Sequence, residues 1–556
     1  MNRIRGTALV LGLLAAPAAA QEAVLTPEVA AELASFYSRP GTTRLDGRTR
    51  LAPGSVLEGD VASIGGPVEV AGTVTGDVVV LNGDLVLLPG GRILGRAIVA
   101  GGAFEGDSAA VAAGVTRYPE ALRFRREDDR IVAVESGRPG LLSAGRSTRF
   151  GRTDLMLTVD GSYNRVEGLP ITLGPRIELG ESNPTVLDAR LIYRTRSGLR
   201  VHPGEFGHIL RLEQYVGGHR SLLFGLAKLN TIDPIESAGV TDTENSLSTF
   251  VLHRDYRDHY TRRGWSAYLR FIGRARPYEA GIALLDEAHG SVQPGTPWSL
   301  LYNDDPWRPQ PQVAEGELRT LQGWLRWDTR NDREDPATGW WLQVEAEQGL
   351  EGDLAVLVPG PTTGGTPPFP LVERPVSAEY TAVLLDARRY LRLGPRTRLA
   401  VRALFDGSAD DGALPPQRQG ALGGEGNLPG YDRFRFDCDA RTGEADAEGY
   451  FPYYGCDRVA LLQGELRLAI LPGFSLGRRL GADFDLLTTP ELVFFADAGR
   501  AWIEPESVDY RAGLGPRALR FDAGVGLRLG RLGLYIATPI DGDGGPNFFV
   551  RLGPRL

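Results

Sequence analysis

The chain has 556 residues, which is longer than one small domain. Hydrophobic residues make up 42% of it, and the formal net charge is −9, whereas a nucleic-acid-binding protein is usually basic. The sequence contains no run of about 20 apolar residues that would cross a bilayer as a helix. A modest hydrophobic share does not exclude a membrane-spanning β-barrel, because barrel strands place apolar residues only at alternate positions.

The N-terminus has the three-part pattern of a secretory signal peptide. Arg3 and Arg5 precede an apolar stretch, residues 8–16, and small residues lead up to Gln21. We therefore expect residues 1–20 to be removed on export. An exported chain meets an oxidising compartment, where cysteines pair.

The two cysteines, Cys438 and Cys456, lie in one segment rich in Gly, Asp and Tyr. A disulfide between them is the favoured prediction, and two unpaired thiols are the first alternative. A metal site built from Asp437, Asp439 and Asp457 is the second alternative, although no histidine lies nearby.

Residues 21–50 are predicted to form a short helix, residues 29–37, and a linker. Residues 51–113 then repeat. Gly59-Asp60, Gly76-Asp77 and Gly95-Arg96 are 17 and then 19 residues apart, and each precedes an aliphatic strand. This spacing predicts a small periplasmic β-solenoid. The repeat resembles the right-handed β-helices of bactofilin-type polymer-forming proteins; a glycine-rich loop region is the alternative.

Residues 114–152 contain charged and glycine-rich runs and are predicted to be a linker. From residue 153 to 556 apolar and polar residues alternate, as in strands with one apolar face. Turns between strands are tight on one side and long on the other, as at 291–315, 351–379 and 409–457. Counting back from Leu556 gives about sixteen strands, and residues 155–159 are a seventeenth candidate. The predicted fold is all-β, an antiparallel transmembrane barrel preceded by a short solenoid; a water-soluble sandwich is the alternative.

Three motifs in the barrel region appear in a family-specific order. They are Asp328-Thr329-Arg330 with Pro336-Ala337-Thr338-Gly339-Trp340, Gly423-Gly424 with Leu428-Pro429-Gly430-Tyr431, and Phe494-Phe495-Ala496-Asp497-Ala498-Gly499. Over roughly residues 160–556 the chain resembles the BamA/TamA-like outer-membrane assembly superfamily, also called the bacterial surface antigen family. Periplasmic POTRA domains, which are usual in that family, have no counterpart pattern before residue 150.

The resemblance implies that external loop 409–457 folds into the barrel lumen. In the family an Arg before the Gly-aromatic pair meets the Asp that corresponds to Asp497, but here Pro429 stands at that position. The expected anchoring residues are Gly430, Tyr431, Asp497 and Gly499, with the cation supplied by Arg433 or Arg435.

The first motif falls at a predicted periplasmic turn between the eighth and ninth strands. Pro336 and Gly339 suit a turn, and Trp340 suits an interfacial aromatic girdle. Asp328 and Arg330 complete this family turn motif, for which we predict architecture and no chemistry.

The C-terminal stretch follows the pattern by which assembly machinery is thought to recognise last strands. It contains Gly545, Phe548 and Val550, with the latter two predicted to face lipid. The chain ends in Leu556 instead of the usual aromatic residue. The alternative is a soluble edge strand with an exposed apolar row.

Enzyme signals are weak. Residues 473–477 match G-x-S-x-G, but they lie in a predicted turn and lack the strand-to-helix context of a nucleophile elbow. His253 and His259 with neighbouring aspartates are better explained as a charged strand end than as a metal site. We predict no catalytic residue, metal or cofactor.

The sequence predicts an outer-membrane protein with its N-terminal region in the periplasm. By resemblance, its function is non-enzymatic insertion or translocation of polypeptides. A solute channel and a structural anchor that ties the solenoid to the membrane are the alternatives. The expected partners are outer-membrane lipid, client polypeptides or envelope proteins, and further copies of the chain through the solenoid; nucleic acid is not expected.

Overall fold

The chain folds into two units in a computed structural model: an N-terminal unit that ends at Ser136 and a C-terminal unit that begins at Gly137. The structure describes residues 21–556 except 23–26, 40, 47–48, 66, 119–121, 123, 128–129, 134–141, 149–150, 160, 181–182, 197, 199–201, 218–220, 236–238, 273–277, 331–334, 360–370, 395, 411, 434, 437, 439–455, 471–473, 476–486, 489, 504–518 and 541–543. The predicted signal peptide, residues 1–20, lies outside the described residues, and so does most of the G-x-S-x-G segment.

The N-terminal unit is a parallel β-solenoid with one helix, α1 (Pro27–Ser38). Three parallel sheets form its faces, in the orders β1-β13-β11-β8-β5-β2, β10-β7-β4 and β12-β9-β6-β3, and β14 and β15 form a separate hairpin. The strands are β1 (Gln21–Glu22), β2 (Thr43–Asp46), β3 (Thr49–Leu51), β4 (Val56–Leu57), β5 (Val61–Ile64), β6 (Val68–Val70), β7 (Thr73–Val74), β8 (Val78–Leu81), β9 (Leu85–Leu87), β10 (Arg92–Ile93), β11 (Ala97–Ala100), β12 (Phe104–Glu105), β13 (Val115–Tyr118), β14 (Phe124–Glu127) and β15 (Arg130–Ala133).

The Gly-Asp repeat is explained by hydrogen bonds between successive coils. Asp60 Oδ1 accepts the backbone N–H of Asp77 at 2.9 Å, and Asp77 Oδ1 accepts that of Arg96 at 2.7 Å. A Cβ on Gly76 would lie 2.4 Å from the Gly59 backbone, so the coils approach too closely there for any other residue. The carboxylates therefore satisfy backbone donors that the turns leave unpaired.

The solenoid has two apolar layers, one inside the coils and one between the coils and α1. Valine and leucine side chains of the coils fill its interior, and Leu33, Phe36 and Tyr37 of α1 pack on one outer face against residues such as Ile64 and Leu81. The helix agrees with the predicted residues 29–37. The coils run from Thr43 to Tyr118, and β1 adds in parallel to β13, so the solenoid is longer at both ends than the predicted 51–113.

The C-terminal unit is built on one antiparallel sheet of seventeen described strands, in the order β16 to β25, β28, β29, β30, β33, β34, β35 and β36. The strands of this unit are β16 (Leu142–Thr148), β17 (Gly151–Val159), β18 (Pro170–Leu179), β19 (Thr185–Arg194), β20 (Phe206–Val216), β21 (Leu222–Pro234), β22 (His259–Ile272), β23 (Tyr278–Ser291), β24 (Gly316–Asp328), β25 (Gly339–Gly352), β26 (Leu354–Pro359), β27 (Leu371–Val376), β28 (Thr381–Gly394), β29 (Thr397–Ser408), β30 (Arg458–Ala469), β31 (Phe474–Ser475), β32 (Leu487–Thr488), β33 (Pro490–Trp502), β34 (Arg520–Leu529), β35 (Leu532–Pro539) and β36 (Asn547–Leu552).

The all-β fold with a preceding solenoid is confirmed, and two boundaries are corrected. The predicted linker 114–152 contains the last solenoid strand, the β14–β15 hairpin and β16, so it is not a simple connection. The seventeenth candidate, residues 155–159, is part of β17, the second strand of the sheet. The strands within residues 114–152 were missed because they lack both the Gly-Asp mark and a clean alternation.

The sheet buries its polar face and exposes its apolar face. Along β30, Gln463, Glu465 and Arg467 are buried, while Leu462, on the opposite face, is 55% exposed. Along β34, Asp522 is fully buried and Val525 is 47% exposed. This is the reverse of a water-soluble sandwich and is typical of a barrel with a polar lumen and a lipid-facing exterior.

Few helices interrupt this unit. The second α-helix, α2 (Asp242–Leu252), lies between β21 and β22, and single 3₁₀ turns occur at Pro203–Glu205 and Pro416–Arg418. None of the helices in the described ranges is both long enough and apolar enough to span a membrane.

Candidate functional site at the interior loop and the last strand

The segment after β29 enters the interior of the sheet. We call residues 412–436 the interior loop. At its start Arg418 donates from Nε to Glu347 Oε1 at 2.8 Å and from Nη1 to the Tyr260 hydroxyl at 2.9 Å. Gln417 Nε2 lies 3.0 Å from His289 Nδ1. The loop is thus fixed to inward-facing side chains of β22, β23 and β25.

The far end of the loop is a tight turn held by β34. The Gly430 N–H donates to Asp522 Oδ2 at 2.6 Å, and the Tyr431 hydroxyl donates to the Phe521 carbonyl at 3.0 Å. A Cβ on Gly430 would lie 2.7 Å from the Asp522 Cβ and about as close to the β35 backbone. Glycine is therefore required for this turn to approach the sheet.

A small apolar cluster packs between the interior loop and β30. Leu422 and Leu428 are fully buried and pack with Leu461 of β30. A Cβ on Gly499 would meet the Leu422 and Leu428 methyl groups at 2.9 and 3.0 Å. The predicted anchoring residues Gly430, Tyr431 and Gly499 thus lie together, and the role of Gly499 is to leave room for the leucines.

Asp497 lies beside this anchor but takes its cation from elsewhere. It is the cross-strand neighbour of Asp522, and its carboxylate accepts two hydrogen bonds from Arg555, at 2.6 and 3.1 Å. The expected pairing of Asp497 with Arg433 or Arg435 is therefore not what the structure shows. The turn places the Arg433 guanidinium over the Tyr256 ring, 5.5 Å from its centroid, and leaves Arg435 exposed.

The two cysteines close the base of the same loop. Cys438 and Cys456 form a disulfide with Cα atoms 4.8 Å apart. Cys456 also pairs through its backbone with Gly420, at 2.8 and 3.1 Å. The predicted disulfide is confirmed, and it ties the returning chain to the interior loop; residues 439–455 between the cysteines lie outside the described residues.

The Asp328 to Trp340 motif forms the turn between β24 and β25, which are the eighth and ninth of the last sixteen strands, as predicted. Arg330 binds the Asp328 carboxylate at 2.9 Å and its guanidinium lies over the Trp341 ring. Gly339 has φ of 112°, a conformation that glycine adopts readily, and Trp340 is partly exposed with Arg389 over its ring. Pro336 precedes the buried Ala337 within the turn.

The same turn contributes Asp335, which sequence reasoning missed. Its carboxylate contacts Arg528 at 2.7 Å, Arg398 at 3.0 Å and Arg467 at 3.1 Å, on three different strands. Burial opposes ionisation, but these three guanidinium groups hold the pKa of Asp335 well below its usual range. Asp335 lies in a turn, where the alternation that predicts strand faces gives no signal.

The last strand has the predicted exterior. Phe548 is 65% exposed and Val550 is also exposed, whereas Phe549 and Arg551 are buried on the opposite face. Gly545 lies in open space before the strand. After β36 the chain turns inward, because Arg555 reaches Glu465 at 3.0 Å as well as Asp497, and the Leu556 carbonyl accepts from Arg467.

The first and last strands are the edges of the sheet. β36 pairs with β35 over six residues, and among the described strand residues it pairs with neither β16 nor β17. We call the unpaired space between β36 and the first strands, β16 and β17, the seam. The Leu552 N–H, on the seam side, donates to Glu244 Oε1 of α2 at 2.6 Å. A strand edge of this kind presents backbone donors and acceptors to another extended chain.

Helix α2 contacts both sides of the seam. Besides Leu552, Glu244 binds Arg551 of β36 at 2.8 Å, while Tyr163, in the loop after β17, donates its N–H to Ser246 Oγ at 2.9 Å. Asn245 Nδ2 also reaches Ser162 Oγ at 3.3 Å. No sequence signal paired Glu244 with Arg551, which is 307 residues away.

A cavity of about 460 Å³ remains between the interior loop and strands β24 to β29. Polar groups such as Arg326, Glu345, Arg402 and Asp406 line it together with Leu404. The loop therefore fills only part of the interior and leaves a cavity with charged residues in its wall.

No protein-family model matches the chain, and none of the curated proteins matches it. Solved structures do. They include BamA from Haemophilus ducreyi lacking POTRA domains 1–3, with 14% identity and a TM-score of 0.40 over 77% of this chain and 74% of that one. CdiB from Escherichia coli has 11% identity and a TM-score of 0.32, covering 78% and 66% of the two chains. CdiB from Acinetobacter baumannii has 11% identity and a TM-score of 0.31, covering 76% and 61%.

Proposed function

We propose that the C-terminal unit spans the bacterial outer membrane and inserts or translocates other polypeptides without enzymatic chemistry. Support for the membrane location comes from the exposed apolar residues that nearly every strand of the sheet carries. They are Leu155, Leu173, Leu191, Leu212, Phe224, Trp265, Ile282, Leu325, Leu350, Leu385, Leu462, Phe494, Val525, Ile536 and Phe548. In water this surface would be an aggregation hazard, whereas in a bilayer it is the favourable exterior.

The observation that carries the insertion proposal is the unpaired edge of β36. Because Leu552 donates its N–H away from β35, the N–H groups of Val550 and Phe548, two and four residues earlier, point to the seam as well. An extended client segment would add to this edge by main-chain hydrogen bonds, with the exposed Phe548 and Val550 continuing the lipid-facing surface. Strand pairing would supply the driving free energy.

The motif resemblance and the anchored interior loop agree with this proposal. The loop links β25 to β34, through Arg418 with Glu347 and through Gly430 with Asp522. It therefore fixes the shape of the C-terminal strands that end at the seam. The N-terminal solenoid would present its own sheet edges to clients, to envelope proteins or to further copies of the chain.

The test uses a Val550→Pro variant of the full chain, refolded into liposomes. Proline removes one seam-facing N–H, and an edge position tolerates it. Val550→Ala is the matched control, because it shortens the same side chain but keeps the N–H. We expect a radiolabelled outer-membrane client to fold faster with wild type and Val550→Ala than in protein-free liposomes, and not with Val550→Pro. Equal acceleration by both variants would contradict strand addition at this edge.

The interior cavity of about 460 Å³ favours a solute channel as the second candidate. Its walls carry charged groups such as Arg326 and Asp406, which would select among small ions. Stable conductance steps in planar bilayers from the wild-type chain, with no acceleration of client folding, would support this function over insertion.

A further inference from the structure

We propose that Glu244 is a latch that occupies the client-binding edge of β36 and must be displaced before a client strand can pair there. This inference rests on the proposed function, since it names the residue that regulates the same edge. Its basis is the contact of the Glu244 carboxylate with two residues of β36. Arg551 donates two hydrogen bonds to it, at 2.8 and 3.3 Å, and the Leu552 N–H donates one at 2.6 Å.

The Leu552 contact is the decisive one. In the middle of a sheet this backbone N–H would donate to a neighbouring strand. At the seam a side-chain carboxylate takes that place, and a hydrogen bond with an ionised acceptor is about twice as strong as a neutral one. An incoming strand that pairs with this end of β36 competes with Glu244 for the same donor.

Glu244 is well placed to act as a latch because its own position is fixed. It closes the capping box of α2: its Oε2 accepts the Thr241 N–H at 2.8 Å, and its own N–H donates to Thr241 Oγ1. Arg257 donates from Nη2 to the Val240 carbonyl and so holds the chain just before the helix. The carboxylate therefore reaches β36 from a rigid support.

Arg551 connects the latch to the interior loop. Its Nη1 donates to the Glu425 carbonyl at 3.1 Å, next to Gly426, where an added Cβ would lie 2.3 Å from Gly239 Cα. The interior loop, the segment before α2 and the last strand thus meet at one guanidinium. A movement of the interior loop would pull on Arg551 and weaken its contact with Glu244.

Both carboxylate and guanidinium are buried, at 7% and 5% exposure, so the contact is not an ordinary surface ion pair. Burial alone would raise the pKa of Glu244, but the charge of Arg551 and the surrounding N–H donors keep it below its ordinary value. The carboxylate is ionised at neutral pH, and the latch is closed in this conformation.

The experiment measures amide hydrogen exchange of residues 547–552 in the full chain, reconstituted in liposomes. Glu244→Gln keeps a residue that completes a capping box but removes the charge, and Glu244→Ala removes the contact entirely. Asp242→Asn is the matched control, because it neutralises a carboxylate in the same helical turn that binds Arg257 and not β36.

We expect exchange of residues 547–552 to rise moderately in Glu244→Gln and by about tenfold or more in Glu244→Ala. In wild type, local opening of β36 must break the contacts with Glu244, and in the variants these contacts are weakened or absent. Asp242→Asn should exchange like wild type. An exchange rate in Glu244→Ala equal to that of wild type would overturn the latch proposal. An equal rise in Asp242→Asn would also overturn it, because the faster exchange would then result from unfolding of α2.

The same variants separate the latch from the function it rests on. In the client-folding assay, Glu244→Gln should accelerate client folding beyond wild type. Faster exchange without any client acceleration in wild type or variant would leave the latch standing and remove the insertion function. Faster exchange with a client rate equal to that of wild type, in an active barrel, would show that the latch does not guard client entry.

Discussion

At the scale of single residues, two glycines decide how closely the interior loop approaches the sheet. Gly430 brings its N–H to Asp522, and Gly499 makes room for Leu422 and Leu428. Neither glycine makes a side-chain contact, so their importance comes from the atoms that a larger residue would displace. The far turn of the loop is held by close packing and by the hydrogen bonds of the Gly430 N–H and the Tyr431 hydroxyl, not by the ion pair that the family motif implied.

Gly430→Ala should therefore release the turn. The added methyl would lie 2.7 Å from the Asp522 Cβ and 2.9 Å from the Thr538 carbonyl carbon, and overpacking of this kind costs about 1–3 kcal/mol. We expect faster cleavage of the interior loop by protease and a lower unfolding temperature. Gly545→Ala is the control, because no atom lies within 4 Å of its added Cβ. Equal protease resistance of the two variants would contradict the steric argument.

At the scale of elements, the loops beside α2 form a cap with a charged core. We define the cap as residues 161–169, 239–258 and 292–310. Arg165 is fully buried and binds both Asp255 and Asp258, and Arg308 also contacts Asp258. Burial opposes ionisation of Asp258, but Arg308 and Arg165 hold its pKa well below the usual range. The cap therefore depends on a carboxylate that stays ionised.

Asp258→Asn should destabilise the cap by about 3–5 kcal/mol, because it removes the buried charge that Arg165 and Arg308 share and leaves Arg165 with Asp255 alone. Since the folded pKa of Asp258 is depressed, its contribution is fully present above the unfolded value of about 3.9 and is lost as pH falls from there toward the folded pKa. We expect the unfolding temperatures of wild type and variant to differ most at neutral pH and to converge below about pH 4. A difference independent of pH between 7 and 3 would show that charge is not the cause.

The sequence predicted elements whose signal is local. Alternation gave the strand faces of β29, β30 and β34, the Gly-Asp spacing gave the solenoid, and Cys438 with Cys456 gave the disulfide. The strands within residues 114–152 were missed because they are short and mixed in polarity.

The site was harder to predict because its pairs join distant segments. Asp497 was identified, but Arg555, which follows the last strand, and the pair of Glu244 on α2 with Arg551 on β36 were not. Which cation meets which anion depends on how the C-terminus turns inward and on where α2 lies. Neither follows from periodicity.

At the scale of the whole C-terminal unit, the usual distribution of polarity is inverted. Interior Arg, Asp and Glu side chains are paired within a strand or with a neighbouring strand, as in Asp386 with Arg388 of β28 and Arg402 of β29, while leucine, valine and phenylalanine cover the exterior. Stability in a bilayer then depends on the exterior being apolar and on interior charges being matched.

Val525→Arg tests this inversion. A lipid-facing arginine near the bilayer midplane costs about 2–4 kcal/mol, so we expect a lower folded fraction in liposomes during urea titration. Leu300→Arg is the control: its side chain is 57% exposed, but it lies outside the strands, where a surface change is worth about ±0.5 kcal/mol. Equal destabilisation by both substitutions would argue against a bilayer around β34.

The Gly-Asp contacts of the N-terminal unit have a consequence for how such a chain can vary. Each coil is joined to the next by the same carboxylate-to-backbone contact, from Asp60 to Asp77 and from Asp77 to Arg96. Inserting or deleting one whole repeat would preserve these contacts and change the height of the stack by one strand spacing, about 4.8 Å. The reach of this unit can therefore be altered in fixed increments, without redesign of its turns or of the barrel.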